Sequence, residues 1–123
     1  METLFVPEDF VVPQRIEEAH YVLRPLTTRE VEKDYDAVMS SKESLRHVFC
    51  ENGDWPAEQM TLQDNYRDLE RHQADFAQRS GFTYTMETPD GRRCLGCVYI
   101  YPCPIGDYDA QVHYWVRDSV KAQ

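Results

Sequence analysis

The hydrophobic pattern of this chain changes its period at Gly81, and this change limits the possible folds more than any other feature. Before Gly81, two stretches repeat apolar residues every three to four positions, as amphipathic helices do. After Gly81, apolar residues alternate with polar ones or form continuous runs, which is typical of β-strands. Helices followed by several strands predict an α/β domain of the α+β kind.

The first long helix has a clear start signal. Residues 20–26 (HYVLRPL) are predicted to form a strand that ends near Pro25. Thr27 and Glu30 then have the Thr-x-x-Glu spacing of a helix capping box. The apolar residues that follow lie on one helical stripe: Val31, Tyr35, Val38 and Met39. A second, short helix is predicted over residues 43–49.

A third helix is predicted to begin at Thr61, which has an acidic residue three positions later, Asp64. Its apolar stripe runs to Phe76 and stops before Gly81. Because glycine adopts the left-handed conformation without strain, we expect Gly81 to supply the C-terminal cap.

Strands are predicted over three later segments: residues 82–87, 94–101 and 110–116. Asp90 and Gly91 predict a hairpin turn between the first two of these strands. Residues 1–19 have no sustained period and contain Pro7 and Pro13. We therefore expect an N-terminal arm over residues 1–19 that packs on a domain formed by residues 20–123.

Charge and length exclude several classes of function. The 123 residues suffice for one hydrophobic core, and 22 Asp+Glu against 13 Lys+Arg give a net charge of -9. An acidic chain with scattered basic residues argues against nucleic-acid binding. No apolar run approaches the ~20 residues of a membrane span. Residues 1–10 carry no basic side chain, unlike a secretory signal, so a cytoplasmic location is expected.

Two of the four cysteines form a Cys-x-x-Cys pair, Cys94 and Cys97. This spacing raises the alternative of a metal-binding or redox protein. On a regular strand, however, residues three apart point to opposite faces of the sheet. We therefore expect two buried thiols and no metal.

Three segments, taken in order, resemble the N-terminal half of the GNAT acetyltransferases. Residues 21–30 (YVLRPLTTRE) resemble the opening strand and first helix of that family. Residues 89–101 (PDGRRCLGCVYIY) resemble its hairpin, whose second strand carries a glycine within an apolar run. Residues 110–116 (AQVHYWV) resemble the strand that pairs with the pantetheine arm of acetyl-CoA.

The resemblance implies a mixed, mainly antiparallel sheet with flanking helices, and acetyl-CoA-dependent N-acetylation of a small-molecule or protein amine. Members of the family continue after this strand into a glycine-rich loop that binds the cofactor pyrophosphate. Residues 117–123 (RDSVKAQ) contain no glycine, so we expect a fold truncated after the fourth strand. The alternative is a non-catalytic fragment of this family that binds a ligand or partner and has lost cofactor binding.

Several site residues are implied by the resemblance. The positions expected near the cofactor are those at the end of the last predicted strand: Tyr114, Trp115, Val116 and Arg117. Core packing is an equal alternative for Trp115 and Val116. Residues that could contact the amine substrate are Tyr99, Tyr101, Asp107 and Asp109. For the two aspartates, the alternative is a solvated acidic loop.

His113 is the candidate catalytic base. Many family members place a glutamate at the position held here by Gln111, which cannot accept a proton in that role. His113 is two residues later, so it shares a strand face with Gln111, and imidazole titrates near neutral pH. The alternative is a partly buried structural histidine.

The last predicted strand also raises a question of assembly. An interior strand with one neighbour missing would present an unpaired edge. A homodimer formed through that edge is therefore a possible state, and we expect no nucleic-acid or membrane partner.

Overall fold

The computed structural model describes residues 5–41, 60–102 and 110–117. Within these residues, two α-helices pack on a five-stranded sheet whose strands follow one another in chain order. Each of the four strand pairings is antiparallel, which confirms the prediction of a mainly antiparallel sheet. The strands are β1 (Ile16–Glu17), β2 (Val22–Pro25), β3 (Phe82–Glu87), β4 (Cys94–Pro102) and β5 (Ala110–Val116).

The first helix begins as its capping box predicts. The Thr27 hydroxyl accepts the N–H of Arg29, and the Glu30 carboxylate accepts the N–H of Thr27. A single 3-10 turn, Thr28–Glu30, leads into α1, Val31–Ser40. The capping bonds satisfy backbone donors that a helix start otherwise leaves without a partner.

The second helix, α2, spans Leu62–Gln78 and has the predicted capping box at Thr61 and Asp64. Its predicted C-terminal cap is wrong, because Arg79 rather than Gly81 adopts the left-handed conformation, with φ of 61°. The N–H of Arg79 bonds the last carbonyls of the helix. Its guanidinium also donates to two carbonyls of the N-terminal segment, Pro7 O at 2.7 Å and Phe10 O at 3.0 Å. These contacts hold the side chain of a non-glycine cap in place.

The N-terminal segment contributes a short strand that the sequence pattern did not predict. Ile16 and Glu17 pair with Leu23 and Val22 of β2, which makes β1 the outer strand on that side. Farther from this pairing, the Tyr84 hydroxyl donates to Pro13 O at 2.8 Å. The division into an arm over residues 1–19 and a domain over residues 20–123 stays a prediction.

A β-bulge interrupts the pairing of β3 with β4. Met86 pairs with Gly96, while the next residue of β3, Glu87, pairs with Cys94. Leu95 is therefore an extra residue on β4, as in a bulge that sets two residues against one. The extra residue turns Cys94 toward the helices, the same face that carries Cys97. The prediction that these two thiols point to opposite faces is wrong, and the bulge is the reason.

The hydrophobic core lies between the helices and one face of the sheet. It contains Leu26, Ala37 and Val38 from the N-terminal half, Met60 and Leu69 around α2, and the sheet residues Cys94, Cys97, Tyr99 and Trp115. Each of these side chains is at most 5% exposed. The helix predicted over residues 43–49 lies outside the described residues.

Candidate active site

A cavity of about 460 Å³ opens between the two helices and the helix-facing side of β4 and β5. Its walls are both apolar and ionisable. The lining residues are Leu26, Asp34, Asn65, Asp68, Leu69, Arg71, His72, Tyr99, Tyr101, Gln111 and His113. A cavity of this size fits a small molecule or the end of an extended chain.

Three residues predicted from the sequence meet in this cavity. His113 pairs with Tyr99 across β4 and β5, and Gln111 pairs with Tyr101, so all four side chains share one face. His113 Nε2 lies 3.3 Å from the side-chain oxygen of Gln111. Geometry thus brings the candidate base and the two candidate substrate-binding tyrosines together, and their roles stay predictions.

Tyr99 connects the cavity to the core. Trp115, which is 4% exposed, donates its indole N–H to the Tyr99 hydroxyl at 2.9 Å. Burial raises the pKa of Tyr99 well above its ordinary value. Trp115 therefore packs as a core residue and bonds a cavity tyrosine, and its position near the cofactor stays a prediction.

His72 on α2 is a cavity residue that the sequence reasoning missed. Its Nδ1 lies 2.9 Å from the Tyr101 hydroxyl and 3.1 Å from the Thr83 hydroxyl. The Tyr101 hydroxyl donates in turn to Asp75 at 3.0 Å. Burial, followed by the charge of Arg71, lowers the pKa of His72 to about 4. The sequence did contain a signal for this residue, because His72 is a polar residue on the apolar stripe of the helix, between Leu69 and Phe76.

Stability should therefore depend on pH through His72. Between pH 6.5 and about 4, the unfolded chain binds a proton at this imidazole that the folded chain does not. Folding should thus become less favourable as the pH falls through this window, by about 2–3 kcal/mol from this group. The measurement is the free energy of unfolding in urea at several pH values.

The matched control is His72→Gln, whose amide can still bond the Tyr101 hydroxyl but does not titrate. The nearby charged groups, Arg71 and Asp75, are the same in both proteins. The difference in unfolding free energy between the unchanged chain and His72→Gln should change by about 2–3 kcal/mol between pH 7 and pH 4. A constant difference across this range would contradict the low pKa of His72.

The cavity also contains a buried carboxyl group. Asp34 on α1 is 3% exposed and accepts a hydrogen bond from the Asn65 amide at 2.9 Å. The Cys97 thiol donates to the other oxygen of Asp34 at 3.3 Å. Burial raises the pKa of Asp34 to about 6. The sequence stripes did not identify this residue, because a single aspartate beside an apolar stripe is ordinarily solvated.

The backbone of β5 presents one edge to β4 and the other away from the described sheet. The N–H of Arg117 donates to Leu95 O at 2.8 Å. In an antiparallel pair such bonded positions alternate, so Trp115 also directs its backbone groups toward β4. Tyr114 and Val116 direct theirs to the outer edge, where no strand pairs with β5 among the described residues. Of the four predicted cofactor positions, Tyr114 and Val116 therefore direct their backbone groups away from β4, while Trp115 and Arg117 direct theirs toward it.

Arg117 is engaged within the chain itself. Its guanidinium donates to Cys94 O at 3.1 Å, to Asp36 at 3.0 Å and to the Ser40 hydroxyl at 3.2 Å. Its N–H and both terminal nitrogens therefore have partners within the chain, and the cofactor role implied for it stays a prediction. Asp107 and Asp109 lie outside the described residues, and their role stays a prediction.

Neither described helix combines the length and the apolar character that crossing a membrane requires. No protein-family model matches the sequence, and none of the curated proteins matches it either.

Solved structures do match. RimL, a ribosomal L7/L12 alpha-N-protein acetyltransferase in its apo form, superposes with a TM-score of 0.71 at 18% identity, over 96% of this chain and 61% of that one. The microcin C7 self-immunity acetyltransferase MccE, solved with acetyl-CoA and AMP, superposes with a TM-score of 0.70 at 16% identity. This match covers 91% of this chain and 59% of MccE. The ribosomal-protein-S5-alanine acetyltransferase from Vibrio fischeri superposes with a TM-score of 0.65 at 13% identity. This match covers 87% of this chain and 57% of that one.

The chain thus spans about 60% of the length of these structures. At such low identities the likeness concerns the fold, and it agrees with the order of elements and the antiparallel sheet described above. The chain has the fold of the GNAT acetyltransferases.

Proposed function

We propose that the protein catalyses, or forms the acceptor-binding part of a domain that catalyses, acetyl transfer from acetyl-CoA to an amine. The observation that supports this most directly is the arrangement around β5. The cavity with His113 lies on one face of this strand, and the outward backbone groups of Tyr114 and Val116 lie along its edge. A donor at the edge and an acceptor in the cavity would meet beside His113.

The outer edge of β5 suits the pantetheine arm of acetyl-CoA. Pantetheine contains two amides, which can pair with an exposed strand edge as another strand would. Tyr114 and Val116 supply a donor and an acceptor each, two residues apart on the same side. Two of the structural neighbours are described as complexes with acetyl-CoA or coenzyme A, which supports the same cosubstrate here.

The cavity suits an amine acceptor. Asp34 and Asp68 line it together with one cation, Arg71. Carboxyl groups attract a protonated amine, while the rings of Tyr99 and Tyr101 offer apolar contact to its carbon chain. The amine can belong to a small molecule or to a protein chain terminus, and Asp107 and Asp109 are further candidates to attract it.

The chemistry requires removal of a proton from the ammonium group before attack. In the proposed reaction His113 accepts that proton, the amine nitrogen forms a bond to the thioester carbonyl carbon, and the carbon–sulfur bond breaks. Coenzyme A leaves as a thiolate and takes up a proton. Gln111, 3.3 Å from His113 Nε2, can orient the imidazole.

Two measurements test this proposal. Calorimetry measures the binding of acetyl-CoA to the chain. The release of coenzyme A in the presence of spermidine or a peptide α-amine measures acetyl transfer. Tyr114→Pro removes the outward N–H without removing a bond to β4, and it should weaken binding at least ~10-fold. His113→Ala should retain binding and lower the rate of release by about 100-fold.

Tyr114→Ala is the matched control, because it keeps the backbone N–H and removes only a side chain that is 69% exposed. Its affinity should stay within about threefold of the unchanged chain. Equal losses for the Pro and Ala variants would contradict backbone pairing at the β5 edge. Binding without any transfer would instead favour a non-catalytic binding module.

A further inference from the structure

Three buried side chains that commonly ligate metals converge between α1 and β4. They are Asp34, Cys94 and Cys97, and their ligand atoms all lie within 4.8 Å of one another. Cys94 and Cys97 have no exposed surface, and Asp34 is 3% exposed. Within residues 5–41, 60–102 and 110–117 this is the one group of its kind.

The bulge at Leu95 creates the cluster. On a regular strand Cys94 would face away from the helices, but pairing with Glu87 returns it to the helix-facing side. Cys97, opposite Thr85, is on this side already. Asp34 then reaches the two thiols from α1. An irregularity that places two cysteines and a carboxylate together is of a kind often associated with functional sites.

The surrounding polar groups hold the ligand atoms in a suitable orientation. The Asn65 amide donates to one oxygen of Asp34 at 2.9 Å, which leaves the other oxygen directed at Cys97. The Thr85 hydroxyl lies 3.6 Å from Cys94 Sγ. Metal ligands in proteins are usually fixed by hydrogen bonds of this type to groups outside the coordination sphere.

The separation of one thiol and the carboxylate fits a tetrahedral ion. With Zn–S near ~2.3 Å and Zn–O near ~2.0 Å, a tetrahedral angle places sulfur and oxygen about 3.5 Å apart. The observed separation of Cys97 Sγ and the Asp34 oxygen is 3.3 Å. An ion between them would take the place of the thiol proton that now joins the two groups.

The charge of such a site also has a counterpart. Two thiolates and one carboxylate around a divalent ion leave one net negative charge. Arg117 is 5% exposed, donates to Cys94 O at 3.1 Å and also pairs with Asp36, so a guanidinium shared with one carboxylate lies one peptide group from the cluster. Asp34 is the member of the cluster that also lines the cavity, so an ion would enter, and a water would complete its coordination, from the side of Asp34.

We propose that Asp34, Cys94 and Cys97 bind a zinc ion, with a fourth coordination position open toward the cavity. Two thiolates and one oxygen ligand suit zinc better than the hard cations magnesium or calcium, which prefer oxygen alone. The earlier expectation of no metal rested on the two thiols facing apart, and the bulge removes that premise. The zinc proposal rests on this ligand geometry and not on acetyl transfer, although Asp34 belongs both to the cluster and to the acceptor cavity.

Metal analysis of the full chain, purified under reducing conditions and loaded with zinc, tests the site. About one zinc ion per chain should remain after gel filtration. With cobalt in place of zinc, the chain should show thiolate-to-cobalt charge transfer and the visible bands of a tetrahedral ion. Cys94→Ser and Cys97→Ser should each lower the charge-transfer intensity by about half or more.

Cys50→Ser is the control cysteine variant, and it should leave zinc content and the cobalt spectrum unchanged. Because a cysteine variant could fail to fold, the unchanged chain provides the second readout: zinc should raise its melting temperature, and a chelator should reverse the rise. A chain that retains no zinc and shows no thiolate–cobalt absorption would overturn the proposal. So would a cobalt spectrum that survives in both serine variants.

Discussion

Gly96→Ala should destabilise the fold by about 3 kcal/mol, which is a large fraction of the stability of a domain this size. A methyl group at Gly96 would overlap the backbone oxygen of Trp115 and lie 2.9 Å from Val116 Cα. These atoms belong to the β5 backbone, so they cannot turn aside as a flexible side chain could. Relief would require β4 and β5 to separate. Urea unfolding followed by circular dichroism measures the loss.

Gly91→Ala is the matched control in the β3–β4 turn. Gly91 has φ of 74°, and apart from its two neighbours in the chain no residue comes within 4 Å of a methyl group built there. Its substitution should cost about 1 kcal/mol, from backbone strain alone. Equal costs at Gly91 and Gly96 would contradict the close approach of β5 to β4.

Trp115→Ala should cost about 3–5 kcal/mol, because it removes the largest side chain from the core and leaves a cavity. Trp115 is 4% exposed and packs in the same cluster as Leu69, Cys97 and Tyr99. The substitution also leaves the Tyr99 hydroxyl without the indole donor. Thermal unfolding should show a matching fall in melting temperature.

Trp115→Phe separates the two contributions. Phenylalanine keeps most of the apolar volume and loses only the N–H that reaches Tyr99, so we expect a cost of about 1–2 kcal/mol. If the Phe and Ala variants were equally destabilised, the hydrogen bond would outweigh the packing. The position of Tyr99 in the cavity would then depend on that bond.

The elements that depend on local chemistry were predictable from the sequence. Both capping boxes, at Thr27 and at Thr61, act between residues three positions apart, so the pattern alone locates both helix starts. The strand of residues 82–87 follows in the same way from its period of two. The cap at Arg79 was not predictable, because its left-handed conformation is accompanied by bonds to Pro7 and Phe10, which are far away in sequence.

Some residues of the candidate site were also predictable from local spacing, and others were not. His113 and Gln111 share a strand face because they are two residues apart, and the sequence predicts this directly. His72 and Asp34 reach the cavity from the two helices, and only tertiary packing brings them to β4. The convergence of Asp34 with Cys94 depends, in addition, on the pairing of Glu87 across the bulge.

Leu95 has a consequence for how β4 aligns with the matching strand of another structure of the same fold. Residues of a regular strand face the two sides of the sheet alternately. The extra residue Leu95 shifts this alternation by one position between the residues before it and those after it. A structure of this fold whose strand is regular would align with Cys94 and Cys97 in the correct orientation only if a one-residue gap is opened at Leu95. At identities of 13–18%, an ungapped match would assign core residues to the surface and hide the cysteine pair. The bulge thus marks the position at which the inward and outward faces of this strand change over.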